Sequence, residues 1–309
     1  MMIAEGAIPD PDESFPSGDM PQDLRPVEGL QRGAYEVGAI RALYRAGWIP
    51  EIFVGTSIGA VNAAALAAGW TAERLVDFWM RLRTPHVHRL HGRIWRSLFT
   101  TAPLRATLLR HLDFDRLNDP DNPRVLLVLA TDLCRGCPVV FANRPVPKAR
   151  RVRIGPEHLL ASCSIPYVYP ATPVEGSLFW DGAVMANTPL NAAIEAGADE
   201  IVAVLLAPMP GKAGGWPLPR HPLQALALVL DLALLATFEN DYRQLEAINR
   251  AVRQGRPLKP GHREIHCHVI APAAPLPLSR ILRYDQPGTQ ALIAQGEADA
   301  QRILEALGW

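Results

Sequence analysis

The sequence predicts an α/β fold in which a mainly parallel sheet is covered by helices on both faces. Three stretches carry that expectation. The apolar run Ile52-Phe53-Val54 passes through a tight turn into the alanine-rich stretch 61–68, a strand followed at once by a helix. Val125-Leu126-Leu127-Val128-Leu129-Ala130 is continuously apolar between Pro123 and Asp132, as a parallel strand buried on both faces requires. A helix capped by Thr188, with Pro189 in its first position and its end near Gly197, leads into a second such run at 201–206.

The remaining elements follow from local signals. Residues 24–32 are too short a stretch, and too interrupted by Pro26, for a central strand. A helix runs over 33–46 and is closed by Gly47. Thr71 caps a helix that reaches about Leu82. Residues 81–96 carry eight Arg and His side chains and are expected to form a mobile cap over the Val54–Ala60 turn. Val139-Val140-Phe141 pairs with the preceding strand after a turn at Arg135-Gly136. Residues 157–163 form a short helix stopped before Pro166. Val174 and Leu178-Phe179-Trp180 flank a hairpin turn containing Gly176. Beyond the Gly/Pro-rich loop 208–222 come a long helix over 222–254, whose apolar first half reads as a core helix, a strand at 266–270 and a terminal helix over 286–307.

Composition narrows the function classes. With 309 residues, 49% hydrophobic and 20% charged, the chain can bury a full core. Lys plus Arg and Asp plus Glu each total 31, so no net field draws in nucleic acid, and no nucleic-acid partner is expected. Four cysteines are too few for a disulfide framework, which favours a reducing compartment. Residues 1–23 hold six acidic residues, four prolines and no Lys or Arg. They read as a disordered acidic tail rather than a signal peptide, and no apolar run of about eighteen residues marks a membrane span. The expected location is the cytoplasm, with peripheral contact at a membrane, and residues 24–309 are read as one domain.

The chemistry centres on Gly55-Thr56-Ser57-Ile58-Gly59. In a G-x-S-x-G elbow the serine stands exposed at a strained turn, glycines on either side let strand and helix pass, and the helix N-terminus faces charge developing on a substrate oxygen. A serine hydroxyl is a weak nucleophile and needs a base. Two kinds of base are open from the residues alone: Asp181, at the end of a hairpin arm, and a late histidine among His262, His266 and His268. Cys134 and Cys137 have redox or zinc spacing but no second pair, so a turn holding two thiols is the simpler reading. No metal or cofactor is implied.

The elbow, Asp181-Gly182-Ala183, Asn187-Thr188-Pro189-Leu190, Arg32-Gly33-Ala34-Tyr35, Ala130-Thr131-Asp132-Leu133 and Ala161-Ser162-Cys163-Ser164-Ile165-Pro166 occur in an order that resembles the patatin-like phospholipase family, over roughly residues 28–206. That resemblance implies a three-layer α/β/α sandwich and lipid acyl-ester hydrolysis. It also implies a dyad of Ser57 as nucleophile and Asp181 as general base, with no histidine. The family places three glycines before its Arg-Gly pair, and their amides bind the oxyanion. Here Gly29, Leu30, Gln31, Arg32 and Gly33 occupy that loop, with a single glycine ahead of the pair. Glycine's freedom at positive φ is lost there, so an impaired relative that binds acyl lipid without cleaving it is the alternative. Arg144, Lys148, Arg150, Arg151 and Arg153, with segment 81–96, are candidates for a rim facing lipid phosphates.

Overall fold

The computed structural model describes residues 32–90, 97–185, 189–209, 216, 218–219, 222–257, 263–276 and 285–309. The chain runs α1 (Gly33–Arg45), β1 (Ile52–Thr56), α2 (Ile58–Ala67), α3 (Ala72–Arg81), α4 (Thr84–Val87), β2 (Arg89–Leu90), β3 (Phe99–Thr100), α5 (Ala102–His111) and α6 (Phe114–Leu117). It continues through β4 (Val125–Asp132), β5 (Cys137–Ala142), β6 (Arg150–Arg151), α7 (Pro156–Ser162), β7 (Thr172–Val174) and β8 (Ser177–Asp181). A 3-10 turn at Gly182–Met185 then leads to α8 (Pro189–Glu195), β9 (Glu200–Val204), α9 (Pro222–Arg253), β10 (His266–Ile270) and α10 (Gln286–Leu307).

The three-layer α/β arrangement follows from which side chains each strand turns to each face. Phe53, Leu126 and Val128 pack with Ala34, Tyr35 and Val37 of α1, Leu75 and Trp79 of α3 and Ile293 of α10. Val54 turns the other way, onto Leu190 and Ala193 of α8 and Leu245 of α9. Such alternation is the period of an extended strand.

The sheet is mixed rather than mainly parallel. β4 runs parallel to β1 but antiparallel to β5 and β8; β7 and β8 form an antiparallel hairpin; β5–β6 and β9–β10 are parallel. The continuous apolarity of β4 reports burial on both faces, which holds, since Leu126 to Ala130 are all fully buried. Strand direction is set instead by connections. A four-residue turn to β5, and a hairpin whose Glu175 and Gly176 both take positive φ, return the chain at once and enforce antiparallel pairing.

Between β1 and β9 lies a cavity of about 580 Å³ lined by every residue of 51–56 and of 199–207. Successive residues of a strand face opposite sides, so lining by consecutive residues puts this cavity in the plane of the sheet, between two strand edges. β9 and β10 accordingly pair as a separate two-stranded sheet among the described residues.

The cap expected over 81–96 is partly built into the fold. His88 is buried against Phe99 and Tyr169, whose hydroxyl lies 3.2 Å from His88 Nδ1, and Arg89–Leu90 pair with Phe99–Thr100. Residues 91–96 lie outside the described residues, as do the expected cap Thr188 and the tail 1–23.

Candidate active site

Two strands share one edge of β4, end to end. β1 pairs along it from Ile52↔Val125 to Thr56↔Leu129, and β8 takes over at Ala130↔Asp181. Because β1 is parallel to β4 and β8 antiparallel, their C-terminal ends converge on the consecutive residues Leu129 and Ala130. Ser57 follows the last residue of β1, and Asp181 is the last residue of β8. Residues 124 positions apart in sequence are brought together by this head-to-head meeting.

Ser57 stands at φ 57°, ψ −132°, outside the regions an L-residue ordinarily occupies, at a cost of order 1–3 kcal/mol. The elbow needs its first glycine for space: a Cβ on Gly55 would lie 2.4 Å from the Gly59 carbonyl oxygen. Gly182 is similarly confined, with Leu129 O 2.9 Å from where its Cβ would be. A Cβ on Gly59 would come within 3.1 Å of Glu36 Oε1.

Asp181 is 1% exposed. Burial pushes its carboxyl up to about 6, while the Ser57 side chain and the Ala183 amide, which donates to Oδ1 at 2.9 Å, pull the other way. Oδ2 meets no donor at full hydrogen-bond geometry among the described residues, so the Ser57 contact is a loose one. Hydrogen bonds between catalytic partners commonly tighten only when substrate binds.

Sequence reasoning assigned no role to the Ser162–Ser164 segment, yet it holds both residues in place. Ser162 Oγ accepts the Ser57 N–H at 2.9 Å, and the Ser164 carbonyl accepts the Asp181 N–H at 3.0 Å. Ser164 Oγ is itself bonded to Leu160 O and Thr172 Oγ1, each at 2.8 Å. Its position in the family's motif order was the one signal available.

Of the oxyanion candidates, Gly29, Leu30 and Gln31 lie outside the described residues. Arg32 and Gly33 open α1, whose orphan N-terminal amides are anion-binding groups. Gly33 packs against Ile58, the residue after Ser57, and against Trp79, so closely that a Cβ there would lie 2.8 Å and 2.7 Å from them. The Arg32 side chain turns toward α9: it pairs with Asp231 at 2.8 Å and bonds Leu206 O at 2.6 Å. Beneath the elbow, burial raises the Glu36 carboxyl to about 7, with the Asn62 hydrogen bond and the Arg32 charge opposing the shift.

Two of the three histidines of the triad alternative lie elsewhere. His266 and His268 lie on β10, His268 turned toward Glu200 and the Trp309 ring, and neither is hydrogen-bonded to Ser57 or Asp181. His262 lies outside the described residues. No group of three or more His, Cys, Asp or Glu able to hold a metal occurs among the described residues.

The pattern of the patatin-like phospholipases matches residues 29–194, more than half of the chain. The chain belongs to that family. Among solved structures, VipD from Legionella pneumophila is similar at 12% identity and a TM-score of 0.47, over 90% of this chain. The chain spans 66% of the length of VipD. No curated protein matches the sequence.

Proposed function

We propose that this patatin-like chain is a serine acyl hydrolase of phospholipase A or esterase type, cleaving lipid acyl esters through a Ser57–Asp181 dyad. The observation that carries the reading is the meeting of β1 and β8 on β4, which sets a strained, half-buried serine beside a buried carboxylate of raised pKa. Asp181 takes the Ser57 proton as Oγ attacks the ester carbonyl. The tetrahedral oxyanion collapses, the alcohol leaves with that proton, and acyl-Ser57 remains. Asp181 then takes a proton from water as the water attacks the acyl carbonyl; when the second tetrahedral intermediate collapses, that proton passes to Ser57 Oγ, which leaves as the acid is released. The amides at the start of α1 and α2 face the developing charge.

The test is a fluorophosphonate probe followed by mapping of the labelled peptide. Label is expected on Ser57 and absent from Ser57→Ala; an unlabelled wild-type chain with no ester turnover would overturn the reading. A non-cleaving acyl-lipid binder is the second reading, favoured by the single glycine ahead of Arg32 in residues 28–32.

We also infer contact with a lipid surface, through α9 rather than the arginines. Arg150 and Arg153 are ion-paired with Glu175 and Asp115, Lys148 with Glu195, and Arg144 donates to the Asp119 and Pro120 carbonyls. By contrast, Val229 (61% exposed), Leu232 (44%) and Ala236 form an exposed apolar stripe on one face of α9. The one charge between 222 and 238, Asp231, is turned inward to Arg32. No helix among the described residues is long and apolar enough to cross a membrane.

A further inference from the structure

A polar cluster, buried at Asn62 and Trp79 and half-buried at Glu36, lies beneath the elbow and is left unused by the acyl-transfer chemistry. Asn62, in the helix that follows Ser57, is 1% exposed and has every amide atom engaged. Its Nδ2 donates to the Gly33 carbonyl at 3.1 Å and to Glu36 Oε2 at 2.7 Å, and its Oδ1 accepts from Trp79 Nε1 at 2.8 Å. One side chain thereby ties α1, α2 and α3 together. An apolar residue would fill the same space without desolvating an amide, an indole N–H and a carboxyl, so stability alone does not call for these groups. What a saturated buried network supplies is a single fixed geometry.

The geometry it fixes is that of the start of α1 relative to the elbow. Asn62 grips the Gly33 carbonyl, Gly33 touches Ile58, and Glu36 stands under Gly59. Arg32 reaches the same region from the first turn of α1, its guanidinium held by Asp231 of α9; α2 and α3 present only the neutral Asn62 and Trp79. Oxyanion donors stabilise a transition state only where they are aimed in advance, and a misplacement of about 1 Å costs on the order of a hundredfold.

We propose that Glu36 and Asn62 are positioning residues for acyl transfer, locking the Arg32 and Gly33 amides in register with Ser57. The proposal rests on the serine-hydrolase reading.

The test compares Asn62→Leu and Glu36→Leu with Glu36→Gln, which keeps an oxygen to accept from Asn62. Amide hydrogen exchange on the full chain reads the clamp without reference to activity. In both Leu variants residues 37–40, the first amides bonded within α1, should exchange at least tenfold faster, with β4 unchanged. In Glu36→Gln they should match wild type. On a soluble nitrophenyl ester, kcat should fall at least tenfold in the Leu variants with KM within about threefold, and Glu36→Gln should recover most of the loss. Should Asn62→Leu not fold, Asn62→Ala is read in the same way.

Unchanged exchange at 37–40 overturns the clamp. Faster exchange with unchanged kcat overturns its part in catalysis, as does an equal loss in Glu36→Gln. A wild-type chain with neither turnover nor label on Ser57 removes the hydrolase reading and the catalytic half of this proposal with it. Exchange then decides the clamp alone.

Discussion

Asp181 is held at an energetic disadvantage on which the proposed dyad draws. A base must be ionised to accept the Ser57 proton, so kcat/KM on a soluble ester should climb from low pH and level off above about 6, the value to which burial raises this carboxyl. That limb should persist in Glu36→Gln and have no counterpart in Asp181→Asn, whose turnover should fall at least a thousandfold. The same shift has a stability consequence. The folded pKa exceeds the unfolded value of 3.8, so the folded state binds the extra proton between the two. The cost is absent below about 3.8 and complete above about 6. Asp181→Asn should therefore raise unfolding stability by about 1–3 kcal/mol at pH 8, and by progressively less toward pH 4, as urea titrations would reveal. Equal or lower stability at pH 8 would contradict the burial argument. Ser57 was legible in the sequence because its backbone strain demands glycines at fixed offsets. Asp181 was legible only through the order of family motifs, since Asp-Gly is a common turn dipeptide. Ser162 was not legible, because its bond to the Ser57 amide depends on a pairing that no local pattern encodes.

At the level of elements, the existence of strands and helices could be read from the chain, but their directions and partners could not. Periodicity locates α1 and α10 to within a residue or two of their observed bounds. It does not say that they cross at glycines. A Cβ on Gly38 would lie 1.9 Å from the Ile293 carbonyl oxygen, and one on Gly296 would lie 1.9 Å from the Tyr35 carbonyl oxygen. Both obstacles are backbone, which cannot rotate away. The crossing is reinforced by the buried Tyr35 hydroxyl, which donates to Asp299 at 2.7 Å, and by Arg45 bonded to Glu297 at 2.6 Å. Gly38→Ala or Gly296→Ala should each lower stability by about 2 kcal/mol or more, measured by chemical denaturation, because the helices must separate to admit the methyl group. A change within 0.5 kcal/mol, roughly what an unconstrained surface site gives, would show that the crossing is not tight. Residues 102–117 form α5 and α6 although the sequence reading assigned them nothing. Pro103 sits in the first turn of α5 and Asp113 caps α6 by accepting the Arg116 amide at 2.9 Å, so the signals were present but short.

On the scale of the molecule, two routes to a lipid surface make opposite predictions. Clustered arginines would favour anionic vesicles and release them as salt rises, since the Debye length shrinks from about 10 Å at 0.1 M to about 3 Å at 1 M. The ion pairs at Lys148, Arg150 and Arg153 neutralise much of that cluster. The exposed face of α9 carries no charge between 222 and 238, and its first half borders the site: Leu226 packs against the Phe99, Val168 and Tyr169 cluster, as Ile165 does, while Asp231 holds Arg32. Burying an apolar stripe at the lipid boundary gains free energy roughly in proportion to area and does not weaken with added salt. Sedimentation with zwitterionic vesicles should therefore persist at 0.5–1 M salt, at about the level seen with anionic ones. Val229→Asp combined with Leu232→Asp should cut that binding at least tenfold and slow hydrolysis of vesicle phospholipid in parallel, with turnover of a soluble ester within about twofold of wild type. Loss of soluble-ester turnover would place the stripe inside the catalytic fold rather than at a lipid boundary. Salt-sensitive binding that survives both aspartates would return the membrane contact to the basic side chains.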